Sequence, residues 1–203
     1  LAFSRSIYQG SNLGVSAGSN FVFRLSEDES IHASELYVSF NYHAFQLDVG
    51  RFNQPIGLNN HALSVGSMMM STNAIPITRI SVHNPNFVPV PFTEGFVEYK
   101  GMFSHGWFNE DRYVDDAYLH QKYLYLKFNI GEFSAIGGIV HNALWGGTSE
   151  NPNVGSLPQS FSDYLRVITG SAADPDSDAP GGEISNTLGN SIAAYEFGAE
   201  YRF

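Results

Sequence analysis

The chain has 203 residues, of which only 15% are charged and 14% aromatic, and its net charge is -10. That balance excludes nucleic acid as a partner, because phosphate binding needs clustered cations. The absence of cysteine excludes disulfide staples and thiolate metal sites. No run of about 18 apolar residues is present for a membrane-crossing helix. No signal peptide is visible, and the opening LAFSRSIYQG reads as the start of a processed chain or a fragment.

In chain order, the first strand is expected over residues 18–25. From 36 to 42, Leu36, Val38, Phe40 and Tyr42 alternate with Tyr37, Ser39 and Asn41, the period of a half-buried strand. At Tyr42-His43-Ala44 the phase flips, and Phe45, Leu47 and Val49 become the apolar set opposite Gln46 and Asp48. A flip within so few residues marks a tight hairpin or a bulge; two strand-length arms favour the hairpin. Further strands are expected over 62–71, 93–107, 118–130 and 133–145, with a second short turn at Gly131-Glu132. The last strand covers 191–203, where Tyr195, Phe197, Ala199, Tyr201 and Phe203 share one face and Glu196, Gly198, Glu200 and Arg202 the other.

These arms exceed the usual five or six residues of globular strands and suit a bilayer, which needs about 9 to 11 tilted residues. Short turns near His43 and Gly131 contrast with long polar stretches at 85–91, 109–116, 146–163 and 170–188, the asymmetry of outer-membrane barrels. Aromatics gather where strands meet loops, at Trp107, Phe108, Tyr113, Trp145, Tyr164, Tyr201 and Phe203, as in an aromatic girdle. Trp145 then marks the membrane boundary, and Gly146-Gly147 releases the chain into an external loop. A soluble β-sandwich also alternates. Against it stand repeated polar residues on the second face and an apolar face rich in Tyr and Phe, with few of the Val and Ile of a packed core. The expected fold is therefore all-β: one domain over 1–203, part of a transmembrane antiparallel β-barrel.

Five stretches in order carry a family resemblance: LDVGRFNQPIG (47–57), SMMMSTNAIPITRISV (67–82), DAYLHQKYLYLKF (116–128), HNALWGG (141–147) and SFSDYLRVITG (160–170), the last followed by LGN (188–190). Together they resemble the capsule-assembly Wzi family of Gram-negative outer-membrane proteins, in its Bacteroidetes branch. The residues after Gly50-Arg51 depart from the family's pattern in lacking Trp-Gly. The resemblance implies an outer-membrane barrel of 18 strands, roughly twice this chain's length, that acts as a surface lectin for capsular polysaccharide.

Candidate chemistry is sparse. Glu110, Asp111, Asp115, Asp116 and Arg112 form a charged loop after Trp107; paired carboxylates do glycosidase work only at a defined separation, and a solvated loop is the plainer reading. Asp174, Asp176 and Asp178 invite a calcium reading, but Ala179 and Ser185 occupy the Gly and Glu positions of an EF-hand. His120 and His141 are expected to approach one another in the lumen as hydrogen-bonding groups, without a third ligand for a metal. SFSDYLRVITG reads as a short amphipathic turn or helix over the barrel mouth, with Asp163 and Arg166 spaced to pair if it is helical. No Gly-x-Ser-x-Gly elbow or phosphate-binding glycine pattern is present, so no enzyme and no cofactor is expected.

The expected function is non-catalytic binding or organisation of surface polysaccharide, through Trp107, Asp115, Trp145, Asp163 and Arg166. The partners are membrane lipid, lipopolysaccharide, polysaccharide and other outer-membrane proteins. The alternative is an outer-membrane channel or a scaffold subunit of an export complex. Glu196, Glu200, Arg202, Lys122 and Lys127 are expected on the lumen face; their mixed signs favour a filled interior.

Overall fold

The computed structural model describes residues 1–24, 30–58, 67, 69–70, 75–108 and 113–202. The strands are β1 (Ala2–Gln9), β2 (Leu13–Arg24), β3 (Ser30–Tyr42), β4 (Phe45–Arg51), β5 (Thr78–His83), β6 (Val88–Pro89), β7 (Val97–Trp107), β8 (Val114–Asp115), β9 (Tyr118–Ile130), β10 (Phe133–Trp145), β11 (Thr148–Ser149) and β12 (Asn190–Tyr201). Two helices, α1 (Phe161–Thr169) and α2 (Gly181–Ser185), lie between β11 and β12. One sheet runs β1-β2-β3-β4-β5-β7-β9-β10-β12, every neighbour antiparallel, with β6 beside β7. Strands β8 and β11 pair separately. Among the described residues β1 and β12 end the order without pairing to each other, so the expected barrel appears as an open sheet.

Register gives the sheet two unlike faces, because alternate side chains point to opposite sides. On one face Leu47 opposes Val82, Val82 opposes Phe103, and Leu124 opposes Ile139, which opposes Tyr195. This apolar face is largely bare: Leu124, Ile139, Phe197 and Tyr201 are exposed. On the other face one polar row crosses six strands, Ser39, Asp48, Ser81, Ser104, Gln121 and Asn142. All six are buried. The polarity is thus the reverse of a soluble sheet, whose apolar side is the covered one.

The cover on the polar face is the β4–β5 connection folded back over it. Phe52, Gln54 and Ile56 are buried there, and Leu58, Met69 and Met70 pack against the cluster of Ile56, Met102, Tyr123, Tyr125, Ile136 and Val140. Of the strand expected at 62–71, residues 62–66, 68 and 71 lie outside the described residues. Ser67 and Met70 form an isolated bridge rather than part of the sheet.

Both short turns are two residues long, between Tyr42 and Phe45 and between Ile130 and Phe133. The hairpin at His43 is therefore real, and His43 adopts φ 52° to make it. Strand β7 starts at Val97 rather than 93, because Phe92, Glu94 and Gly95 all take positive φ in the turns before it. Strand β2 is longer than the expected 18–25, and residue 25 lies outside the described set. Connections alternate between the two ends of an antiparallel meander. The 85–91 stretch therefore belongs with the His43 and Gly131 turns, not with the long loops, and Val88–Pro89 within it pairs with β7. The other end, here the loop end, carries the 108–117 and 146–189 connections. Gly146 and Gly147 turn the chain out of β10 with φ 65° and 84°, and a Cβ on Gly147 would strike the Asp115 carbonyl.

Candidate functional site

The loop end is built around α1. Ser160 caps it: the Ser160 hydroxyl accepts from the Asp163 N–H and the Asp163 carboxylate accepts from the Ser160 N–H, a reciprocal capping box. Gly170 closes the helix in the left-handed region, donating to the Arg166 and Val167 carbonyls. Tyr164 and Val167, three apart, turn toward the sheet, while Phe161 and Leu165 stay exposed.

The helix lies on the apolar face. Trp107 opposes Tyr118, which opposes Trp145, in the last row of β7, β9 and β10. Tyr164 stacks on Trp145 with centroids 5.3 Å apart and also meets His105 and His120 edge-on at 5.0 and 5.7 Å. Burial pushes the Tyr164 phenol above its ordinary pKa. Below the helix sits a cluster of Ala143, Trp145, Val167, Ala173 and Leu188.

This places the five expected contact residues. Trp107 is 38% exposed at the rim of the apolar face. Trp145, expected as a boundary marker, is 4% exposed and roofed by Tyr164. Asp115 lies in β8, opposite Thr148 of β11. Asp163 does not pair with Arg166; it serves the cap, and Arg166 instead holds Asp174 at 3.0 Å and the Ala172 carbonyl at 3.1 Å. Trp107 and Trp145 thus come together through Tyr118, whereas Asp163 and Arg166 brace the loop. Glu110, Asp111 and Arg112 lie outside the described residues. Asp174, the first of the spaced aspartates, is engaged by Arg166 and by the Asp176 N–H.

Two expectations about sidedness are corrected. His120 and His141 do approach, with ring centroids 6.3 Å apart, but on the apolar face beneath α1 and not in a lumen. Lys122 is on that face too, donating to the Ile168 carbonyl of α1. Lys122 and Lys127 are an odd number of residues apart and cannot share a face of an unbulged strand. Lys127 faces the polar side, where it pairs with Glu200 and lies 5.4 Å from the Phe87 ring centroid.

The polar face shows what holds its cover. The buried Arg79 donates to the Gln121 side chain and the Phe52 carbonyl, both at 3.0 Å, and sits 4.5 Å over the Phe52 ring. Ser81 donates to Gln54, and Asn142 donates to the Met69 carbonyl. The Glu196 carboxylate accepts from the Leu58 N–H at 2.6 Å and the Tyr125 hydroxyl at 2.7 Å. Sequence reasoning missed Arg79 and Gln54, and it placed Tyr164 in an aromatic girdle without foreseeing its stack on Trp145. The signal for Arg79 was its alternation with Thr78 and Ile80; the irregular stretch around Gln54 carries no period to read.

Among the described residues no helix is long and apolar enough to cross a membrane, which leaves crossing by strands untouched. Nor do three His, Asp or Glu side chains converge among them in a group able to hold a metal.

An antiparallel meander with a bare apolar face and, on the other face, a polar row buried under its own chain defines an all-β sheet protein of inverted polarity. The family model for capsule assembly protein Wzi matches residues 2–203, and the chain belongs to that family. No curated protein and no solved structure matches it.

Proposed function

We propose that this chain is part of the wall of an outer-membrane β-barrel that organises capsular polysaccharide at its loop end, without catalysing a reaction. Family membership supports the link to capsule assembly. Strands of 11 to 13 residues with a bare apolar face support a lipid-facing wall. The observation that carries the reading is the sealed polar row. Hydrogen bonds from Arg79, Ser81 and Asn142 and those to Glu196 hold the 52–58 and 69–70 segments across it, which suits a filled interior better than an open channel.

The polysaccharide contacts are assigned to the loop end. Trp107 offers a ring for a sugar face and Asp115 an acceptor for hydroxyls. Trp145, Asp163 and Arg166 shape that surface by holding α1 and its loop. Lipopolysaccharide and other outer-membrane proteins are the expected neighbours.

The test is saturable binding of the producing organism's capsular polysaccharide to the intact full-length protein in detergent. Trp107→Ala is compared with Phe92→Ala, which alters a fully exposed ring at the opposite end. Loss of one stacked ring, about 1.4 kcal/mol, weakens binding about tenfold, and only Trp107→Ala should show it. Absence of saturable binding by folded protein would overturn the polysaccharide reading and leave a scaffold for an export complex.

A further inference from the structure

The position of α1 is unexpected for a loop helix: it lies on the apolar face, the side that meets lipid if the proposed barrel reading holds. Beneath it that face is polar. His105 opposes His120, and Lys122 opposes His141. On β9 and β10 the bare apolar surface begins only past this patch, from Leu124 and Ile139 toward the Gly131 turn, while on β5 and β7 Ile80, Val82 and Phe103 are exposed in the same rows as the patch.

Length decides where the patch sits. The 13 residues of β10 extend about 40 Å at about 3.3 Å per residue, or about 30 Å along the membrane normal at a tilt of about 40°. The uncovered part, Phe133 to Ile139, supplies about 15 Å of that. An outer-membrane barrel carries an apolar band of about 25 Å. About 10 Å of the band must therefore fall on the rows that α1 covers. Three imidazoles and an ammonium facing acyl chains directly would be costly. Covered by α1 they are not so placed: His120 is 0% exposed, and the Lys122 ammonium donates to the Ile168 carbonyl.

The outer side of α1 completes the surface. Phe161 is 75% exposed and Leu165 49%, and with the half-buried Ile168 they form a stripe at i, i+4 and i+7. That stripe is apolar like the bare face of β9 and β10. We propose that α1 is an interfacial helix on the outside of the barrel: it takes the place of lipid over the polar patch and meets the acyl chains of the outer leaflet through Phe161, Leu165 and Ile168.

The inference rests on the barrel reading, and its test separates the two. The chain has no cysteine of its own. Nitroxide labels are attached to Leu165→Cys, Phe161→Cys, Leu126→Cys and Phe92→Cys variants of the full-length protein, refolded into phospholipid–lipopolysaccharide vesicles. Relaxation by oxygen, which concentrates in lipid, is compared with relaxation by a water-soluble nickel chelate. The oxygen-to-nickel ratio at positions 165 and 161 should match that at 126 and exceed that at 92 several-fold. A ratio at 165 and 161 equal to that at 92, with 126 still lipid-like, overturns the proposal and leaves the barrel. A water-like ratio at 126 overturns both.

Discussion

The rings of Trp145 and Tyr164 lie 5.3 Å apart and only 13° from parallel. One ring ends β10 and the other is in the second turn of α1, so this stack fixes the helix to the sheet. It also converts a residue that looks like a boundary marker into the floor beneath a helix.

Replacing Tyr164 by alanine should therefore free α1 while leaving the meander intact. Tyr164 is half-buried, and losing its ring is expected to cost about 2 kcal/mol, raising the released population about 30-fold. Trypsin cleavage after Arg166 in the folded protein reads this release. Tyr164→Phe keeps the ring and should cleave close to the parent rate. An unchanged rate for Tyr164→Ala would mean that α1 is held by something other than the stack.

The cap should show the same coupling in miniature. Ser160→Ala and Asp163→Ala each remove one half of the box and should each loosen α1 by about 1 kcal/mol. Because the two groups act on each other, the double variant should lose less than the sum. The same cleavage rate measures all three. Strict additivity would show that the reciprocal bonds do not work as a unit.

How far the molecule could be read in advance depended on period and parity. Leu36 to Tyr42 alternates cleanly and the arms around Gly131 are long with a short turn between them, so their strands, turns and pairing were legible. Sidedness was legible too but was misread at Lys122, which parity alone separates from Lys127. The segment at 160–170 was legible as a short amphipathic turn or helix. Its docking side was not, because a 3.6-residue period says which face is apolar and not which sheet face receives it. The cover around Gln54 and Ile56 was invisible for a different reason. It is irregular chain held by partners such as Ser81 and Glu196 that are remote in sequence.

Gly138 tests the packing of β9 on β10. A Cβ there would run into the Tyr125 ring and the Leu124 carbonyl, whereas on Gly137 it would meet only the Phe197 ring at 3.4 Å. Gly138→Ala should destabilise the wall by about 2–3 kcal/mol, and Gly137→Ala should have little effect. The measurement is the temperature at which the compact band of unheated protein on a detergent gel gives way to the unfolded one. Equal temperatures for the two variants would contradict the close approach at Gly138.

Glu196 bears on whether the interior is shut. Its carboxylate joins three pieces of chain, accepting from Leu58 of the cover and Tyr125 of β9 while sitting on β12. Bonds to a charged acceptor are worth about 1.5–3 kcal/mol each when buried, and less here because Glu196 is partly exposed. Glu196→Ala should still let the 56–58 segment lift and uncover Ile56, which is 1% exposed in the parent. Planar-bilayer recording of the full-length protein reads this directly: the parent should be silent and the variant should show stepwise openings. A silent variant would mean that Arg79 and Asn142 suffice to hold the cover. A conducting parent would remove the sealed-interior argument and favour the channel reading over organisation of polysaccharide at the loop end.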